Sequence, residues 1–141
     1  AKLHILAGTN PESAKLGGYI VKSERNNPDI ILISCGSDLT KTLLIADDLK
    51  EKYDIRVVSM PCQELFLEQD KDYKESILPR NSKIIAIESS NRENWTKFTN
   101  YYNIIGLDSY GYSGKPNDVI KQMKFDKDSI ENKVIEIIEQ D

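Results

Sequence analysis

Ile55–Phe66, IRVVSMPCQELF, is the stretch whose reading decides the fold. Ile55-Arg56-Val57-Val58 has strand character, Ser59-Met60 follow, and Pro61 stands where a short helix opens. Proline suits the first helical position, because its missing N–H has no partner there and its φ is already helical. A strand followed at once by a helix is the joint of a βα unit, and such joints set the topology of an α/β domain.

Working outward, the same pattern recurs. Upstream, Asp29–Ser34 is a near-continuous apolar, β-branched run, as expected of a strand covered on both faces. Cys35-Gly36-Ser37-Asp38 turns the chain, with Ser37 or Asp38 available as a cap. Leu39, Leu43, Ala46, Leu49 and Tyr53 then recur at helical spacing. Gly17–Lys22 reads as a leading strand, and residues 1–16, turn-rich at Gly8–Pro11, read as the remnant of an interdomain linker. With no Met at its start, the chain is expected to be cut from something longer. Downstream, Pro61–Gln69 and Asp70–Leu78 predict two short helices and Lys83–Ile87 a third buried strand. Glu93–Tyr102 predicts a helix with Trp95, Phe98 and Tyr102 on one side. Asn103–Leu107 predicts a fourth strand, Asp108–Lys115 a glycine-rich loop, and Pro116–Met123 a short helix. Asp126 is placed to cap a final helix whose stripe is Ile130, Val134, Ile137 and Ile138. Strands alternating with helices mean a mostly parallel sheet with helices on both faces.

Composition narrows the function. The chain has 141 residues, 39% hydrophobic and 30% charged, which suits one globular domain over residues 17–141. No apolar run approaches the ~20 residues of a membrane span, so no membrane partner is expected. A net charge of −4 argues against a nucleic-acid partner, which wants a basic face. Cys35 and Cys62 are too few for a disulfide framework and read as reduced thiols of a cytoplasmic protein. His4 is the only histidine, which leaves no histidine metal cluster.

Two constellations carry possible chemistry. Gly36-Ser37-Asp38 sits between a strand and a helix, where phosphate loops sit, yet it lacks both phosphate-loop spacings. Asp38 at the helix start would repel a phosphate, and the plainer reading is a tight turn with a polar cap. Glu88, followed by Ser89 and Ser90, and Asp108 each end a predicted parallel strand on the carboxyl rim of the sheet, where α/β domains bind ligands. Such acids do acid–base work or hold a cation; equally, they cap helices or fix an interface. Without a histidine or cysteine partner they make no self-sufficient active site. No catalytic, cofactor-binding or metal-binding residue is therefore assigned, and Gly36, Ser37, Asp38, Glu88, Ser89, Ser90 and Asp108 form the candidate crevice.

The chain also resembles the C-terminal domain of transketolase. The resemblance runs through Leu3–Pro11 (L-x-x-L-x-G-T-N-P), Gly17–Val21, Asp29–Asp38, the Met60-Pro61…Glu64-Leu65-Phe66 core and Ser76–Pro79. It continues through Ile87-Glu88 with Trp95 and through Gly106–Lys115, and so covers essentially the whole chain. Ser89-Ser90, Asn94, Cys62-Gln63 and Tyr110 depart from the usual family residues. The resemblance implies a three-layer α/β/α domain with a mixed five-stranded sheet in order 1-3-2-4-5, its first strand antiparallel. It implies a homodimeric, metal-binding parent transferring a two-carbon ketol unit between sugar phosphates with thiamine diphosphate and Mg²⁺ or Ca²⁺. That cofactor and the sugar phosphates would be held by upstream domains, with no cofactor in this chain. The domain itself would be scaffold and dimer support, inactive alone. The alternatives are a regulatory module taking a cationic or polyol ligand at the crevice, or the equivalent domain of another thiamine diphosphate enzyme such as dihydroxyacetone synthase.

Overall fold

The structure, a computed structural model, describes residues 14–89, 92–106 and 126–140. Its centre is a five-stranded sheet: β1 Tyr19–Lys22, β2 Ile30–Ser34, β3 Ile55–Ser59, β4 Ile84–Ile87 and β5 Ile104–Ile105. The spatial order is β1-β3-β2-β4-β5. Strand β1 runs antiparallel to β3, while β3, β2, β4 and β5 are mutually parallel. Order and direction are those implied by the family resemblance.

Burial explains the strand sequences. Every residue of β2, β3 and β4 is buried, whereas β1, at the edge, alternates. A strand covered on both faces needs apolar residues throughout, and an edge strand covered on one face needs them at every second position. One face carries α1 (Asp38–Leu49) and the last helix, α4 (Lys127–Ile138). There Leu39, Ile45 and Leu49 of α1 and Ile130, Val134 and Ile137 of α4 pack on Leu32, Val57 and Ile85. The other face carries α2 (Gln63–Leu67) and α3 (Lys71–Ile77), with Phe66, Ile77, Met60 and Trp95 over Ile31, Ile33 and Val58. Two layers on one sheet make the three-layer sandwich.

Arg56 is the exception inside this apolar sheet, only 8% exposed. Its guanidinium forms a bidentate pair with Glu24 at 2.8 and 2.7 Å. It also donates to the carbonyls of Ser76 and Ile77, which end α3. A buried charge is tolerated when it is paired and its donors are used, as here. Arg56 thus ties the sheet to α3 and to the turn after β1.

Three local expectations need correction. Pro61 does not begin the helix after β3. The helix begins at Gln63 with Cys62 as its N-cap in extended conformation, φ −147° and ψ 104°. The Cys62 N–H donates to the Gly17 carbonyl at 3.0 Å, which holds the chain extended for one more residue. The helix over 93–102 is replaced by two 3₁₀ turns, Arg92–Trp95 and Tyr101–Asn103. Polar side chains there bond the sheet instead: Thr99 donates to the Ile84 carbonyl and Arg92 to the Ile104 and Tyr101 carbonyls. Asn100 accepts from the Tyr102 N–H, restarting the chain as a separate turn. Trp95 is buried, but Tyr102 is 80% exposed and belongs to no apolar stripe. The predicted cap of α1 also differs: Ser37 makes no side-chain cap bond, and the Asp38 carboxylate turns elsewhere. By contrast, Asp126 does cap α4, accepting from the Ser129 N–H at 2.8 Å. The 116–123 helix and the Asp108–Lys115 loop lie outside the described residues.

Candidate functional site

The sheet order fixes where a crevice falls. From β2 the chain crosses to β3 on one side and later to β4 on the other, so β2 and β4 flank the switch point. In open α/β sheets that is the place for a ligand. Two loops meet there: Cys35–Ser37 after β2, and Glu88-Ser89 after β4.

The loop after β2 is a tight βα turn. Gly36 has φ +60°, a backbone conformation easy for glycine. The turn closes by bonds from the Asp38 N–H to the Cys35 carbonyl at 3.2 Å and from the Leu39 N–H to the Gly36 carbonyl at 3.1 Å. Ser34 and Thr42 are buried behind it. Ser34 Oγ donates to Thr42 Oγ1, which donates to the Asp38 carbonyl, both at 2.9 Å.

Asp38 is 4% exposed. Its Oδ2 accepts from the Ser89 N–H at 3.0 Å, bridging α1 to the exit of β4. Its Oδ1 is buried without a hydrogen-bond partner and lies 4.0 Å from Lys41 Nζ. Glu88 is held by its backbone, its N–H donating to the Ile105 carbonyl at 2.9 Å. Its Oε1 accepts from the Trp95 indole N–H at 2.6 Å. The half-buried Cys35 thiol is pushed up from its ordinary value, first by burial and then by the negative charges of Glu88 and Asp38. It is the neutral thiol, a poor nucleophile, that this place favours.

The structure therefore brings Gly36, Ser37, Asp38, Glu88 and Ser89 to one crevice. Ser90 and Asp108 lie outside the described residues. Two participants are not legible as site residues in the sequence. Cys35 reads as an ordinary apolar filler, although its place just before Gly36 puts it at the carboxyl end of β2. Trp95 reads as core, and only its seven-residue distance from Glu88 hints that its indole N–H comes back to that carboxylate.

What the arrangement does chemically follows from its charges. One oxygen of each acid is engaged, Asp38 Oδ2 by a backbone N–H and Glu88 Oε1 by an indole N–H, and the two acids join α1, β4 and the 92–95 turn. The crevice is a poor fit for the diphosphate of a thiamine cofactor, because Asp38 and Glu88 bring two carboxylates to it against the cation of Lys41, 4.0 Å from Asp38 Oδ1. Among the described residues no group of three or more His, Cys, Asp or Glu is placed to hold a metal, and no described helix is long and apolar enough to cross a membrane.

Comparison with known proteins decides the family. A family model described as the transketolase-like TK C-terminal domain matches residues 17–126. The chain belongs to the transketolase C-terminal-domain family. It is 42% identical over 126 residues to the chloroplastic transketolase of Solanum tuberosum, a match covering 86% of this chain and 17% of that protein. It is 39% identical over 125 residues to the transketolase of Buchnera aphidicola, covering 86% of this chain and 19% of that protein. Among solved structures, Pichia stipitis transketolase in complex with sedoheptulose-7-phosphate superposes with TM-score 0.78 at 28% identity, over 94% of this chain and 19% of that one. Campylobacter jejuni transketolase superposes with TM-score 0.70 at 33% identity, over 87% of this chain and 19% of that one. The chain thus spans less than a fifth of the length of these relatives.

Proposed function

We propose that this chain serves as the C-terminal domain of a transketolase. The parent enzyme transfers a two-carbon ketol unit between sugar phosphates, using thiamine diphosphate and a divalent metal held by other domains. The observation that carries this reading is the family match over residues 17–126, together with similarity confined to under a fifth of each relative. Residues 1–16 act as the tether from the preceding domain and 17–141 as the folded unit. The role proposed for the unit is structural: it supports a cytoplasmic homodimer and contributes no catalytic group. On this reading the crevice at Asp38 and Glu88 is a brace. Asp38 engages the loop after β4, Glu88 engages the 92–95 turn, and the charge of the two suits neither a cofactor diphosphate nor a sugar phosphate.

A domain exchange tests the assignment. A characterised transketolase carrying this segment in place of its own last domain is expected to retain dimerisation and ketol transfer between xylulose 5-phosphate and ribose 5-phosphate. A dimeric, cofactor-loaded hybrid without transferase activity would count against a purely supporting role. The Asp38→Asn form of the hybrid should lose thermal stability with little change in KM, as expected of a brace remote from substrate.

A further inference from the structure

The 3₁₀ turns that replace the expected 93–102 helix lie beside α2 and α3 on one layer of the sandwich. A groove of about 290 Å³ lies there, between α2, the end of α3 and the turn at Lys97-Phe98. Its apolar surface is offered by Leu67, 39% exposed, and by half-buried Phe98, while Phe66 is buried at its base. Phe98 packs on the buried Phe66 ring at a tilt of 56°, with ring centres 6.1 Å apart.

The groove is also lined by Lys74, Arg80 and Lys97, against the single carboxylate of Glu75. Glu75 is already committed, accepting from the Arg80 N–H at 2.8 Å and from its Nε at 3.4 Å. Lys74 Nζ donates to the Leu67 carbonyl at 3.0 Å, which holds its charge at the apolar wall. Among the described residues, Lys97 Nζ makes a long contact, 3.4 Å, to Gln63 Oε1. Three cations against one acid leave a local charge of +2 on a chain whose net charge is −4. The turn carrying Arg80 is held by a bond from the Ser82 N–H to the Pro79 carbonyl and by Asn81 in the left-handed region at φ 69°. Asparagine tolerates that conformation better than most residues.

We infer that this groove docks an acidic amphipathic segment of a partner protein. The segment's apolar residues lie on Leu67 and Phe98, and its carboxylates face Lys74 and Lys97. An apolar helix stripe laid in a groove with complementary charge at the rim is an established mode of recognition. A membrane surface suits the site less well, since the apolar residues line a concavity rather than a projecting face. The surface is separate from the β2–β4 crevice, and the inference does not depend on what the parent enzyme catalyses.

Fluorescence anisotropy on the full chain tests it. The probe is a fluorescein-labelled peptide of about 14 residues with leucine at helical spacing and glutamate elsewhere; its lysine counterpart is the control. Saturable binding of the glutamate peptide in the micromolar range, weakening several-fold as salt rises to about 0.3 M, is expected. Lys97→Glu and Leu67→Asp should each weaken it about fivefold or more, while Leu44→Asp on the opposite layer should not. Both positions are solvent-exposed at the groove, and circular dichroism checks that the variants fold. Amide shifts at Leu67, Lys97 and Phe98 should move on binding by the unmutated chain. Failure of the glutamate peptide to bind, equal binding of the lysine peptide, equal loss in all three variants, or sedimentation with phosphatidylserine vesicles in place of peptide binding would each overturn the inference.

Discussion

Two glycines separate conformational need from packing need. Gly17 sits at φ +86°, and a Cβ there would come within 2.3 Å of the Phe66 nitrogen and 2.5 Å of the Cys62 oxygen. Gly36 sits at φ +60° with nothing within 4 Å of where a Cβ would be. Gly36→Ala should therefore cost only the left-handed backbone penalty, about 1 kcal/mol. Gly17→Ala must also push backbone against backbone and should cost roughly 3 kcal/mol or more. Urea unfolding of the two variants checks the difference; equal costs would mean that the contact of the β1 entrance with α2 is not tight. Glu24 gives the pH counterpart. The Arg56 guanidinium beside it holds its carboxyl below its ordinary value of 4.5. A folded-state value below the unfolded one means that the pair stabilises above about pH 4.5 and that this contribution is lost as pH falls through the lower folded value. Glu24→Gln should thus be less stable near neutrality and show a flatter decline of stability below about pH 4.5, measured by urea midpoints across pH. Both residues are quoted easily from the sequence, but Arg56 inside IRVV carries no sign there of its partner 32 positions away.

The elements show why some spans are legible in the sequence and others are not. Strands β2, β3 and β4 are legible because a strand covered on both faces has one requirement, near-continuous apolar character, and residues 30–33, 84–87 and, Arg56 apart, 55–58 meet it. The final helix is legible because its cap, Asp126, and its stripe are local. Residues 93–102 are not, because what breaks the helix is non-local: Thr99 reaches Ile84, Arg92 reaches Ile104, and Trp95 reaches Glu88. Helical spacing of aromatics cannot report such bonds. The end of α4 has a similar non-local device. Lys83, just before β4, donates from its ammonium to the carbonyls of Ile137, Ile138 and Gln140 at 2.9–3.4 Å. A cation at a helix C-terminus satisfies orphan carbonyls and meets the negative end of the dipole. Lys83→Met should cost about 1–2 kcal/mol and raise hydrogen exchange first in the last turn of α4. Unchanged exchange there would show that the ammonium is not what holds the helix end.

For the whole molecule, alternation of strand and helix specifies an α/β sandwich, but not the strand order, because order depends on which side of β2 each crossover takes. Order and the antiparallel first strand came through family resemblance, and the sheet has both. The crevice was legible to the same depth. Topology places Asp38 and Glu88 at the switch point, and the structure brings their loops together. Their engagement with Ser89 and Trp95 was not legible, since it depends on the path of the 88–95 segment. On the proposed reading that engagement makes the crevice a brace, in keeping with the supporting role the resemblance implies. Isothermal titration calorimetry of thiamine diphosphate with Mg²⁺ into the 141-residue chain tests this claim most directly. The account predicts no binding heat beyond dilution; saturable binding with a dissociation constant in the low micromolar range would contradict it.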